Sequence, residues 1–529
     1  MATRVWLGHA PAVAQVSTLT PTNVEVGDVF TATINGKSIS FTATAATVEN
    51  VVAGLVAAWN ASTIPEMLEI TASDEGDGKV TLTHGTAGVP FSVSAASDED
   101  GSATDEVQTI SISGTPTGGT FTLTYDGETT AALDFDASAA EVETALEALS
   151  NIGTDNVSCS GGPLPDTPVT VTFTGTLGDT NVVLLTAEAS LSGGTSPAIA
   201  IAETTQGRSG ADAISVATPT AASGPHHWSV ATNWSGSAVP ANGDDVVLAN
   251  SAVSIKYGLD QAAVTLDSLV IEQSFTGQVG LPRTNTDGSG YVEYRSQYLA
   301  IGATTITIGK GEGTGSGRIK LDTGSAQTAL SVSNAGNAAE TGLPAILWKG
   351  THASSTVTVS KGSVGVAMFP GETATIATLR VGYTTNLTGD AQVRCGDGVT
   401  LTTVEQAGGL VVASSSITTH SQTGGELIFS DKQDGTTAAI TTLDVDAGAV
   451  RYRATGTLGE ANIGSDGVLD FRQDQRPRTV TTCRAYERFE IRDPFKTVTF
   501  TNGIDLVRCG PLDGVLDLGQ HLTLTPSAS

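Results

Sequence analysis

The chain is poor in most of what marks a catalytic, metal-binding or nucleic-acid-binding protein. Of 529 residues only four are cysteine, Cys159, Cys395, Cys483 and Cys509, and none sits in CxxC or Cys/His spacing. Neither a zinc site nor a dense disulfide framework is encoded, and free buried thiols are expected. Aromatic residues make up only 5% of the chain and charged residues 15%, with 25 Lys plus Arg against 55 Asp plus Glu. The resulting net charge of −30 repels phosphate backbones, so nucleic acid is not an expected partner. No apolar run approaches the ~18 residues of a membrane-spanning helix. The opening stretch MATRVWLGHAPAVAQVSTLTP lacks the apolar core of a secretory signal. Synthesis and use without Sec export, and no membrane partner, are the corresponding expectations. No GxSxG, HExxH or Cys/His nucleophile signature is present, so no enzyme class is indicated and no cofactor is expected.

What is abundant is Gly (61 residues) together with Ala, Thr, Ser and Val. Low charge with many β-branched residues and many turn formers reads as a rigid, mainly β protein rather than a disordered one. The length allows three or four domains.

A duplication organises the first part. GDVFTATINGKSISFTATAATVENVVAGLVAAWN from Gly27 and GGTFTLTYDGETTAALDFDASAAEVETALEALSN from Gly118 align Phe30 with Phe121, Asn35-Gly36 with Asp126-Gly127, Val51 with Val142, Leu55 with Leu146 and Asn60 with Asn151. In the first copy, strands Val29–Ile34 and 38–44 are joined by Asn35-Gly36, which favours a type I′ turn. Val48, Val51, Val52, Leu55, Val56 and Trp59 then form one apolar helical stripe with Thr47 as cap. Further strands are expected near 68–72, 79–83 and 91–95. The second copy turns on Asp126-Gly127, carries a helix over 139–151 with Val142, Ala145, Leu146 and Leu149 inward, and adds strands near 169–174 and 182–187. Between the copies, SDEDGSATDE (97–106) is too polar for a core and reads as a linker. Through residue 210 there are four basic residues against 25 acidic ones, which concentrates the negative charge there and suits docking onto a basic surface.

From about residue 211 the pattern becomes a long series of short strands separated by Gly, Asn, Asp and Ser turns, with no helix expected. VTLDSLVIEQ, STVTVSKG, GGELIFSD and GVLDFRQ are examples. Such strands suit a right-handed parallel β-helix, and a series of sandwiches is the alternative. The fold class is therefore mainly β: two tandem small α+β sandwich modules (1–104 and 105–210), a Trp-capped β-helix-like region (211–450) and a C-terminal β region (451–529).

Several motifs carry a functional and a bland reading. His226 and His227 point to opposite sides of an extended chain and lack a third ligand, so metal binding is the weaker reading. GKGEGTGSG (309–317) lacks the GK[ST] ending and the following helix of a phosphate loop, and reads as a turn or hinge. The acidic runs 74–77 and 98–100 match no calcium-loop spacing. Asp470 and Asp474, beside Arg472, Arg476 and Arg478, are the best pair for acid/base chemistry on a β-helical surface, but carboxylates in so acidic a chain also meet by chance. From Arg451 to Arg508 ten basic residues face eight acidic ones. Arg472, Arg476, Arg478, Arg484, Tyr486, Arg488, Phe489, Arg492 and Phe495 have the composition of a subunit interface, with a salt-bridged face inside one chain as the equal alternative.

HHW…NW…VP..GDD, within 226–248, resembles the entry cap before β-helical regions of bacterial surface proteins and phage structural proteins. The resemblance implies that Trp228 and Trp234 cover the open end while Pro240, Gly243 and Asp244 shape the turn into the first coil. The duplicated modules, roughly 14–206, resemble repeat domains of structural proteins of tailed bacteriophages and related prophage clusters. What this implies is a virion component, capsid-decorating, fibre-like or tail-associated, located in the virion and acting through assembly and host attachment. The expected partners are copies of itself, with a homotrimer favoured, other virion proteins and a host-surface glycan. A bacterial cell-surface adhesin and a polysaccharide-depolymerising tailspike are the alternatives.

Overall fold

Two kinds of backbone pairing divide the chain, which a computed structural model describes over residues 2–98, 103–285, 290–382, 391–507 and 514–519. Gln15–Gly85 and Phe91–Ala221 form one compact unit of antiparallel sheets. Met1–Ala14, Thr86–Pro90 and Ala222–Ser529 form the other, built on parallel pairing.

In the antiparallel unit the first module has one sheet in the order Ala213–Thr220, Val16–Thr22, Val80–His84, Ile70–Asp74, and a second in the order Lys37–Thr42, Val29–Ile34, Ser94–Ser97. The hairpin forms where the sequence puts it, because Asn35 and Gly36 both take positive φ (48° and 68°). Helix Val48–Asn60 starts where the Thr47 side chain accepts the Asn50 N–H at 3.2 Å, and it buries Val51, Val52, Leu55 and Trp59. The second module repeats this plan. Its sheet runs Ala198–Thr205, Val107–Ser113, Val169–Phe173, Val157–Gly161. Gly118–Tyr125 is flanked by Glu128–Thr129 and Leu133–Asp134 on one side and by Thr186–Ser192 on the other. A Ser138/Glu141 capping box opens helix Ala139–Glu147, which ends short of the expected Asn151.

The modules are nested rather than consecutive. Strand Ala213–Thr220 pairs antiparallel with Val16–Thr22, so the second module is inserted into the last connection of the first. The first module in turn interrupts the parallel unit, whose opening strand Thr3–Val5 pairs with Asp245–Leu248. The expected span 1–104 therefore loses Met1–Ala14 and Thr86–Pro90 to the parallel unit and gains Ala213–Thr220. The expected linker is also shorter than its composition suggested. Asp98 accepts the Val29 N–H at 2.8 Å, and Glu106 is fully buried, accepting from Gln108 and the Gly207 N–H; residues 99–102 lie outside the described residues.

The parallel unit is one long sheet. Asp245–Leu248, Asp260–Glu272 and Leu299–Lys310 pair in sequence, after which the chain visits two parallel ladders alternately. The first ladder contains Ile319–Asp322, Ile346–Lys349, Gly362–Val366, Ala391–Cys395, Leu410–Ala413, Glu426–Phe429, Gly448–Tyr452, Gly467–Asp470, Phe489–Arg492 and Val515–Asp517. The second contains Ala329–Val332, Thr356–Val359, Ala374–Val381, Val399–Gln406, Ile417–Gln422, Ile440–Val445, Leu458–Ile463, Arg478–Tyr486 and Ile504–Val507. No α-helix occurs among the described residues after 221. The boundary expected at 450 falls inside strand Gly448–Tyr452, and the ladders pass through it.

Register explains why alternating sequences stack. Leu330, Val357, Leu379, Val404, His420, Leu443, Ala461 and Cys483 occupy one column of the second ladder. Val332, Val359, Val381, Gln406, Gln422, Val445, Ile463 and Ala485 occupy the next inward column, two residues on. Most of the apolar members join one continuous core with those of the first ladder. The corner from second to first ladder is tight enough to demand glycine. A Cβ on Gly425 would lie 2.4 Å from the Gly409 carbonyl oxygen, and one on Gly448 would lie 2.4 Å from that of Gly425. The three polar intruders find local partners, although Gln406 Oε1 and His420 Nδ1 are buried without a hydrogen-bond partner among the described residues. The Gln406 amide donates to the carbonyls of Gly409 (3.1 Å) and Glu426 (3.0 Å), and Gln422 donates to those of Gly425 (2.9 Å) and Ala449 (3.3 Å). His420 Nε2 shares a 3.2 Å hydrogen bond with Gln422 Oε1.

Candidate functional site

The tryptophans expected to close the β region are packed at the end where the parallel sheet begins. Trp228 and Trp234 are fully buried and meet edge-to-face with centroids 4.6 Å apart. A third indole completes the cluster: Trp6 meets Trp234 at 5.0 Å and donates through Nε1 to the Val253 carbonyl at 2.9 Å. Asn233 holds the segments together. Its Oδ1 accepts the Ala10 N–H (2.7 Å), while its Nδ2 donates to the carbonyls of Gly224 and His227 (2.8 Å each). Pro240 is buried and Gly243 takes φ 77°, consistent with a turn into strand Asp245–Leu248. Asp244 accepts from the N–H groups of Ala2 (3.0 Å) and Ala241 (3.2 Å) and from Arg4 Nε (3.2 Å). Burial opposes its ionisation, but these donors outweigh burial and hold its carboxyl below the usual carboxylate range.

The arginine-rich segment is balanced within its own chain. Arg472 pairs with Asp470 (2.8 Å), Arg488 with Asp466 (3.2 Å), Arg484 with Glu460 and Arg492 with Glu490. Arg476 bridges Asp474 (2.6 Å) and Asp431 (2.9 Å). The Arg478 side chain is fully buried and donates to the carbonyls of Tyr452 (2.7 Å) and Asp474 (2.6 Å). Phe489 belongs to the core, Tyr486 is half-buried, and Phe495 is 52% exposed. The segment thus forms a salt-bridged face within the chain. The sequence held a signal for it in Glu490-x-Arg492, which puts opposite charges on one face of strand Phe489–Arg492, while Asp470-x-Arg472 and Asp474-x-Arg476 pair at the same spacing from the end of strand Gly467–Asp470 through the loop before strand Arg478–Tyr486.

Asp470 and Asp474 are unsuited to acid catalysis near neutral pH. The Arg476 side chain, hydrogen-bonded to Asp474, pulls that carboxyl down to about 2. Asp470 is lowered as well, since the Arg472 hydrogen bonds outweigh its burial. A glycosidase acid needs the opposite shift. Elsewhere, His226 Nδ1 lies 2.8 Å from the Ser254 carbonyl oxygen and His227 Nε2 lies 2.9 Å from that of Gly88. Within 309–317 the backbone is tied down by Gln273, whose amide donates to the carbonyls of Gly309 (2.8 Å) and Gly311 (2.7 Å), as befits a turn. Asp74 accepts the Gly76 N–H and Asp77 pairs with Lys79. Burial pushes the thiols of Cys159, Cys395 and Cys483 up to about 12, away from reactivity. Cys509 and Arg508, like Glu99 and Asp100, lie outside the described residues.

No family model matches the chain. A comparison with curated proteins likewise finds no match.

Proposed function

We propose that the chain is a structural component of a tailed-bacteriophage virion that acts through assembly rather than catalysis, with its parallel ladders closing as a right-handed β-helix. The observation that carries this reading is the construction of the molecule. Two ladders share one apolar interior over many rungs, a stiff element, and the chain also carries two nested acidic modules of one topology. Rods and docking platforms need stiffness and repeated modules, and neither supplies a reacting group. The arginine-locked Asp470 and Asp474 speak against the tailspike depolymerase alternative.

Self-association is part of the reading. At and near the last described strands large apolar side chains are exposed, Phe495 at 52% in the turn after Phe489–Arg492, Leu506 at 38% and Val515 at 52%, where parallel pairing stops among the described residues. A homotrimer joined through that end covers them. Native mass spectrometry of the purified chain is expected to give three copies of 53.5 kDa, and the double substitution Phe495→Asp with Val515→Asp to give one. A chain that stays monomeric at micromolar concentrations contradicts the oligomer.

A further inference from the structure

The first ladder carries a notch that its interior packing does not require. Gly362–Val366, Ala391–Cys395, Leu410–Ala413 and Glu426–Phe429 are four consecutive parallel rungs, so their C-terminal ends lie side by side. The connections leaving the two outer rungs, 367–373 and 430–439, are long, and those leaving the two inner rungs, 396–398 and 414–416, are short turns. Long connections thus wall a gap whose floor is made by the short ones. The gap has a volume of about 860 Å³. Four rungs span roughly 14 Å, the length of about three pyranose rings.

The lining is mixed in a specific way. Phe369 forms one wall and is held in place by the Arg283 guanidinium, 4.2 Å from its ring centroid. Asp397 forms the floor and is braced on both oxygens: Oδ1 accepts the Ser414 hydroxyl at 2.7 Å, and Oδ2 accepts the Gln433 N–H at 2.9 Å. A carboxylate accepts about four hydrogen bonds, so a braced Asp397 retains capacity for ligand hydroxyls without having to reorganise. Lys432, on the opposite wall, adds a side-chain donor. Of the lining carboxylates Asp431 is paired with Arg476 and Glu372 lies 3.8 Å from Lys349, which leaves Asp397 and Asp434 against this single lysine, a balance that disfavours acidic ligands.

We propose that this notch binds an uncharged, hydroxyl-rich oligosaccharide, with a sugar ring resting on Phe369 and its hydroxyls shared between Asp397 and Lys432. An apolar face with polar edges is what a pyranose presents, and an aromatic wall beside a fixed carboxylate matches both. The site gives a location to the host-glycan contact of the virion reading and rests on that part of it alone. It needs only the isolated chain, whereas the virion reading is tested on particles, so either can fail without the other.

The test is saturation-transfer NMR on the full chain with maltotriose, mannotriose and chitotriose as neutral probes and a hyaluronan tetrasaccharide as the acidic control. At least one neutral trisaccharide is expected to receive saturation at millimolar concentration, and the acidic control none. Thr373→Trp, at an exposed lining position, is expected to fill the notch and weaken binding by at least about tenfold with unchanged thermal unfolding. Lys432→Ala, which leaves the floor intact, is expected to weaken it less. Silence from all three neutral probes overturns the proposal. Equal binding of the acidic control, or undiminished binding by Thr373→Trp, overturns it as well.

Discussion

Replacing Trp6 by alanine is expected to cost the parallel unit about 3–5 kcal/mol, the range for truncating a buried large aromatic side chain. Two losses combine at this site: the indole, 1% exposed, stacks edge-to-face on Trp234, and its Nε1 donates to the Val253 carbonyl. Truncation leaves a void beside two further indoles that cannot close it, because Trp234 is held by its own bond to the Trp228 carbonyl (2.7 Å). Trp6→Phe keeps a ring in contact and loses the indole hydrogen bond, so a smaller loss is expected. Urea unfolding followed by tryptophan fluorescence measures this well. Trp6, Trp228, Trp234 and Trp348 belong to the core of the parallel unit, and of the five tryptophans only Trp59 lies in the modules. An alanine variant that unfolds at the wild-type midpoint would mean that the first strand is not part of the ladder core.

Acidification from pH 7 to pH 4 is expected to remove about 3 kcal/mol from the parallel unit through His420 alone. The side chain lies in an apolar column between Val404 and Leu443, and burial lowers its pKa from an ordinary 6.5 to about 4, against the opposing hydrogen bond to Gln422. The sign follows from which state takes the proton first. Above about pH 6.5 both states are neutral and the group contributes nothing to the pH dependence. As pH falls below that value the unfolded chain binds a proton that the folded chain refuses until about pH 4, so stability drops through this window. His227, also lowered by burial, acts with the same sign, which makes the difference between variants the informative quantity. His420→Leu fits the column of Leu, Val and Ala neighbours and is expected to flatten the slope of unfolding free energy between pH 7 and pH 4.5, even though it leaves Gln422 Oε1 without its imidazole partner. Equal slopes in wild type and His420→Leu would show that the imidazole is not held neutral.

The sequence made local structure legible and long-range pairing much less so. Asn35-Gly36 and Asp126-Gly127 announce their hairpins because only a few residue types take positive φ cheaply, and Thr47 announces a helix start because its hydroxyl competes for an orphan N–H. The nesting had no such marker. Ala213–Thr220 reads like any other β segment, and its partner Val16–Thr22 lies beyond the whole second module. Trp228 and Trp234 stood out beside each other, but Trp6, more than two hundred residues earlier, carries no local sign that it joins them. The glutamine corner had a weak signal in the recurrence of Gln-x-Gly-Gly at 406–409 and 422–425, which gains meaning only when register stacks the two copies. The arginine segment shows the converse case. Its composition suits an interface, and the structure shows its charges facing carboxylates of the same chain, some across strands and some within the loop before Arg478.

The assembly reading is tested most directly by peptide mass spectrometry of density-purified phage particles produced by a host that carries this gene. The account predicts that peptides from both the nested modules and the ladders co-sediment with the particles at a constant ratio to the other virion proteins across the gradient. Infectious particles free of these peptides, with the chain confined to the soluble lysate, would contradict it.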